Sequence, residues 1–201
     1  MGSYLSLVRL PLGVAVDLLT GRCSITDVKR THPERINGRS RSYELWMEEQ
    51  PEQDPYHLYF DRRYVRALGA LTGKVHDRFA REFFVDEEPK NPCFWMMYGA
   101  RLVGWNNVME EPALSYGYVF PLRYSLPEDI AAINEQLASM TQEQLRDRIE
   151  QILKTESDRY ASEYTQNWMR ETVAVKLLPA LRQFYSTAKQ EKEIVIGIKA
   201  L

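Results

Sequence analysis

The chain has 201 residues, 44% hydrophobic and 27% charged, an ordinary globular composition that excludes a disordered polymer. That length suits one domain and buries enough surface to stand without disulfides or metals. The net charge of −2 excludes the basic excess usual in nucleic-acid binders, and no apolar run approaches the ~20 residues of a membrane-spanning helix.

Residues 3–10, rich in Tyr, Leu and Val, predict a strand. Pro11 ends it and suits the first turn of a helix, in which Val14, Leu18 and Leu19 share a face and Gly21 marks the stop. Residues 8–19 are apolar, but Asp17 interrupts them and no small-x-small cleavage site follows, so no signal peptide is expected. Arg22 before Cys23 argues against a lipoprotein site. Met1-Gly2-Ser3-Tyr4-Leu5-Ser6 matches the myristoylation pattern, which is short and often met by chance. A soluble cytoplasmic chain with Cys23 and Cys93 reduced is the expectation.

Residues 22–57 read as a long, charged, irregular insert with room for one short element, punctuated by Pro33, Gly38, Pro51 and Pro55. Lys29, Arg30, Arg35, Arg39 and Arg41 are followed by Glu44, Glu48, Glu49, Glu52 and Asp54. The two signs cancel, which leaves no phosphate-binding stripe. Tyr43, Leu45 and Trp46 are an apolar island within it.

Residues 61–71 predict a helix with Tyr64, Val65, Leu68 and Leu71 inward, Asp61 at its start and Gly73 at its stop. A second short helix is expected over 75–84, with Phe79 and Phe83 four apart. Residues 94–98 suit a buried strand or a short apolar helix, and periodicity does not decide between them. Residues 116–124 are β-like, and Pro121 assigns them to an edge or an extended loop. Ser125-Leu126-Pro127-Glu128 has the spacing of a capping box, leading a helix with Ile130, Ile133 and Leu137 inward. Thr141-Gln142-Glu143-Gln144 is a second one, leading a helix with Leu145, Ile149 and Ile152 inward. A long helix from about 156 places Tyr160, Tyr164 and Trp168 on one face, read as core, until Pro179 ends or kinks it. Leu181, Phe184, Tyr185 and Ala188 continue a helical face, and residues 193–201 close the chain as a strand with Ile194, Ile196 and Ile198 on one side. The expected architecture is a single α+β domain over 1–201. A small mixed sheet including both terminal strands is covered by helices, with a helix-rich C-terminal third.

Several of these segments, in this order, resemble the YfbM-like family of bacterial proteins, a domain of unknown function. The carriers are Met1-Gly2 before a strand, Phe60-Asp61-Arg62-Arg63-Tyr64 running to Leu71-Thr72-Gly73, and Tyr116-Gly117-Tyr118 followed by Leu126-Pro127-Glu128-Asp129-Ile130. The closing helix of 181–188 and the strand of 194–198 complete the likeness. Arg62 stands where that family tends to have lysine, and the charged insert is longer than its pattern. The resemblance implies an α+β fold and a bacterial cytosolic origin, and it implies no reaction.

Catalytic spacing is thin. His32, His57 and His76 never stand three or four apart, so no helix-borne metal site is expected and no cofactor is assigned. His76-Asp77 with Cys93 is a weak nucleophile pairing, since Cys93 between Pro92 and Phe94-Trp95 reads as a buried small hydrophobe. Glu87-Glu88 and Glu110-Glu111 are adjacent carboxylates that do not face one another. The densest chemistry is aromatic: Phe94, Trp95, Tyr98, Trp105, Tyr116, Tyr118, Phe120 and Tyr124, interleaved with Arg101, Asn106, Asn107 and Arg123. Aromatics with arginine are enriched at protein interfaces, although most such side chains serve the core. The candidate binding residues are Tyr98, Arg101, Trp105, Asn106, Tyr116 and Tyr118. The expected function is a non-catalytic protein-binding module, an immunity- or antitoxin-like partner of a bacterial effector. The alternatives are a hydrolase-like small-molecule enzyme using His57 or His76 with a distant carboxylate, and a homo-oligomeric module with the aromatic region as self-interface. No nucleic-acid or membrane partner is expected.

Overall fold

The computed structural model describes residues 4–35, 56–60, 64–74, 91–102 and 123–200. Its elements in order are β1 (Tyr4–Leu10), α1 (Leu12–Leu19), α2 (Ile25–Thr31), β2 (His57–Phe60), α3 (Tyr64–Thr72), α4 (Pro92–Tyr98), β3 (Arg101–Leu102) and β4 (Arg123–Ser125). They continue with α5 (Pro127–Ser139), α6 (Gln142–Thr155), α7 (Glu163–Trp168), a π-helical turn (Met169–Val173), α8 (Ala174–Gln190) and β5 (Ile194–Ala200). The five strands form one sheet in the order β2-β1-β5-β4-β3. Both terminal strands lie in it, paired along their whole length from Tyr4↔Ala200 to Leu10↔Ile194. The mixed sheet expected from the sequence is antiparallel in every pairing among the described residues.

Strand alternation divides the apolar residues between two layers. Leu5 and Leu7 of β1, Leu58 and Phe60 of β2 and Val195 of β5 join the large core under α3–α8. Val8, Leu10, Ile194 and Ile196 face the opposite way, onto Ala15 and Leu18 of α1 and Val28 of α2. A sheet buried on both sides explains why β1 and β5 read as nearly continuous apolar runs.

The helix ends obey local chemistry. Pro11 precedes α1 rather than opening it, and Gly21 turns the chain beyond α1 with φ 72°. Residues 94–98 resolve as the helix α4, because the Asn91 side chain accepts from the Cys93 amide and Pro92 presets the first turn. Gly73 and Gly99 follow α3 and α4 in the left-handed region, at φ 70° and 93°. Thr141 and Gln144 form the expected reciprocal box at α6, with bonds of 3.1 and 2.8 Å. Arginines finish three helices from outside: Arg148 donates to the Leu71 carbonyl at 2.5 Å, Arg182 to the carbonyls of Leu137 and Met140, and Arg123 to those of Gly99 and Ala100.

The one short element allowed in the insert is α2, capped by Ser24 and Asp27, and β2 begins at His57. Three expectations change. Ser125 does not cap α5; Leu126 holds that position and its amide donates to Asp129 at 2.9 Å, while Ser125 Oγ accepts from the Ala100 amide. No helix starts at 156, because residues 156–160 form turns. Tyr160 and Trp168 are therefore buried while Tyr164 is 69% exposed. Pro179 lies within α8 without ending it. The bond it removes would reach the carbonyl of Val175, and both residues are on the exposed side, where losing that bond costs least. The helix expected over 75–84 and the island at Tyr43, Leu45 and Trp46 lie outside the described residues.

Candidate functional site

The β3–β4 edge of the sheet is where the aromatic-rich segment 103–122 leaves and rejoins the described fold. Arg101 pairs with Tyr124 across the two strands, and Leu102 with Arg123, so the two ends meet side by side. Side chains on both strands reinforce this. Arg101 donates from Nε to Asp129 Oδ2 at 2.7 Å, from Nη2 to Asp129 Oδ1 at 3.1 Å, and from Nη2 to Glu128 Oε1 at 3.0 Å. The forked pair is the favoured geometry for arginine and carboxylate. Its hydrogen bond to Asp129 raises the Arg101 guanidinium above its ordinary value. Asp129 also accepts the Leu126 amide, so one carboxylate both caps α5 and holds β3 to that helix.

Beneath the edge the packing is tight. Arg123 is buried, 5.5 Å from the Phe94 ring, and its two bonds of 3.0 Å to the Gly99 and Ala100 carbonyls tie β4 to the end of α4. A Cβ on Gly99 would lie 2.8 Å from the Tyr124 amide nitrogen, and one on Gly197 of β5 would lie 2.4 Å from the Tyr98 carbonyl oxygen. The end of α4 therefore rests directly on the backbone of the sheet, which only glycine allows.

Tyr98 is 5% exposed and stacks on Phe94 with centroids 4.7 Å apart. It belongs to the platform beneath the edge. Arg101 is at the surface but engaged by two carboxylates. Trp105, Asn106, Tyr116 and Tyr118 lie outside the described residues, as do His76, Glu87-Glu88 and Glu110-Glu111.

A second charged cluster, which no sequence motif announces, lies where the end of β1 meets the start of β5. Arg9 is 1% exposed and Glu193 3%, and Arg9 Nη1 stands 3.0 Å from Glu193 Oε2. Arg35 pairs with the other oxygen of Glu193, donates to the Arg9 carbonyl at 3.4 Å and lies 3.7 Å over the Tyr56 ring. Burial lowers the Arg9 guanidinium from its usual value, against the pull of Glu193 and Glu191. The only sequence signal was an arginine at an inward position of an apolar strand, with an acid just before the strand that pairs with it.

The remaining titratable groups have simpler settings. Cys93 is buried, and that burial pushes its thiol up, with Arg148 opposing, as a small hydrophobe requires. His57 stands opposite Val8 on the sheet, and His32 Nδ1 lies 3.5 Å from Glu34. Among the described residues no three His, Cys, Asp or Glu side chains gather as a metal site would need, and no helix is long and apolar enough to cross a membrane.

No protein-family model matches the chain, and no curated protein does. Among solved structures it is similar to the protein of unknown function YfbM from Escherichia coli, with 14% identity over 100% of both chains and a TM-score of 0.57. At that identity the likeness is one of fold, remote but end to end.

Proposed function

We propose that this chain is a non-catalytic protein-binding module whose partner surface is segment 103–122 with Arg101 at its root. The observation that carries this reading is the anchorage of the segment: β3 and β4 place its two ends in register at a sheet edge, and Arg101, Asp129 and Arg123 lock that edge to α4 and α5. Fixing both ends of a segment lowers the entropy that docking must remove. Trp105, Tyr116, Tyr118 and Phe120 supply the residue types that dominate interface energetics, and Asn106 and Asn107 add adaptable polar contacts.

In its narrower form the module is a cytoplasmic immunity- or antitoxin-like protein of bacterial origin, related to the YfbM family, and its partner is a basic effector. Support comes from the net charge of −2 and from Glu110-Glu111 inside the segment, which would steer a basic surface toward it.

The test is affinity capture of the tagged full chain from its native host, with the wild type beside Trp105→Ala and Tyr116→Ala/Tyr118→Ala variants. The reading predicts one stoichiometric partner, lost in the variants while the melting temperature stays within about 2 °C. Recovery of the chain alone, or a partner held equally by the variants, contradicts it.

A further inference from the structure

We infer that the π-helical turn Met169–Val173 is a register device: it takes up one residue in excess of the helical repeat, so that α7 and α8 present one continuous face to the core. Trp168, Met169, Val173 and Ala174 all keep right-handed helical backbone angles, so residues 163–190 run as a single helix rather than two. The hydrogen-bond step widens inside it. The Met169 amide donates to the Thr165 carbonyl, four positions back, as in any α-helix. The Ala174 amide donates to the Met169 carbonyl, five positions back, which is the step of a π-turn.

Burial shows what the wide turn corrects. Trp168 and Met169 before it, and Val173, Ala174, Leu177 and Leu178 after it, all fill the large core. From 173 and 174 the next buried pair lies four positions on, the spacing of one α-helical face. From 168 and 169 to 173 and 174 the spacing is five. Each residue of a straight α-helix turns the chain by about 100°, so the extra position would swing Trp168 and Met169 away from the core. The wider turn absorbs it. The excess lies on the outer side, where Arg170 and Glu171 are exposed and Thr172 is half-buried. Arg170 is engaged there, forked onto Glu150 of α6 at 2.6 and 2.9 Å. Glu171 is the residue the helix can spare. Its removal would bring the Ala174 amide to four positions from Met169, the carbonyl it already uses. Neither half of the helix would then have to turn.

Two single-residue deletions in the full chain test this, each removing an exposed residue of the same helix. The chain lacking Glu171 is expected to melt cooperatively, either above the full chain or within about 4 °C below it. Deleting Gln183 of α8 removes no wide turn. It swings Phe184 and Tyr185, both in the core, by about 100° against the rest of the helix. A fall of at least about 10 °C, or failure to fold, is expected there. Amide exchange is the second readout: without Glu171, the amides of Ala174, Leu177 and Leu178 are expected to keep their protection. A Glu171 deletion that costs as much as the Gln183 deletion overturns the inference. So does a folded Glu171 deletion in which the Ala174 amide exchanges about tenfold faster or more.

Discussion

Two charged anchors hold this sheet, and they differ in burial. At the root of 36–55 the Arg9–Glu193 pair is nearly sealed from solvent, and Arg35 completes it. At the β3–β4 edge Arg101 keeps 37% of its side chain exposed, with Asp129 at 10% and Glu128 at 64%. Both are arginine–carboxylate contacts, yet they obey different energetics. A sealed pair has already lost its hydration, so deleting one member strands the other. An arginine with more than a third of its side chain in solvent returns to water when its carboxylate is lost, and less is lost with it. Geometry alone therefore does not rank the two anchors; solvent access does.

The largest test of the contrast is Glu193→Gln, which leaves Arg9 and Arg35 facing a neutral amide. It is expected to cost about 3–5 kcal/mol in urea unfolding, and a loss below about 1 kcal/mol would place the pair with ordinary surface bridges. Next comes Gly197→Ala. Its added carbon would lie 2.4 Å from the Tyr98 carbonyl oxygen, a backbone atom unable to swing away. A cost of about 3 kcal/mol is expected, the upper end for overpacking; near-neutrality would mean that α4 can lift from the sheet. Asp129→Asn weakens the Arg101 fork and the Leu126 cap together, for about 1–2 kcal/mol. This cost should shrink as sodium chloride rises from 0.1 to 1 M, where the screening length falls from about 10 to 3 Å, while the Glu193 cost should not. Equal salt dependence at the two anchors would erase the distinction. The smallest change is Tyr164→Ser: at 69% exposure its stability effect should stay within about 0.5 kcal/mol.

What was legible in the sequence follows the same division between local and long-range causes. Both terminal strands, the Thr141 box and the stop at Gly73 are set by neighbouring residues, and they stand as expected. The α2 cap was also legible in principle, because Ser24-Ile25-Thr26-Asp27 carries a capping spacing that the surrounding charge concealed. The Ser125 hydroxyl serves the Ala100 amide, 25 positions away, a contact that strand pairing decides and no local spacing reveals. Tyr160, Tyr164 and Trp168 form one stripe only on an unbroken helix; the turns at 156–160 and the start of α7 at Glu163 separate them. At the candidate site, Arg101 and Tyr98 were singled out for their residue types, but whether each faces water, a carboxylate or the core depends on α4 and α5. The buried Arg9–Glu193 pair had the faintest signal of all, since its members are 184 positions apart and meet only because the first and last strands are neighbours.

The measurement that bears most directly on the proposed function is hydrogen–deuterium exchange on the chain with and without its captured partner. The account predicts protection concentrated in 103–122 and at Arg101–Leu102, with 56–60 and α7 unchanged. Protection centred on α7 or on the β2 edge, with 103–122 exchanging as in the free chain, would contradict it.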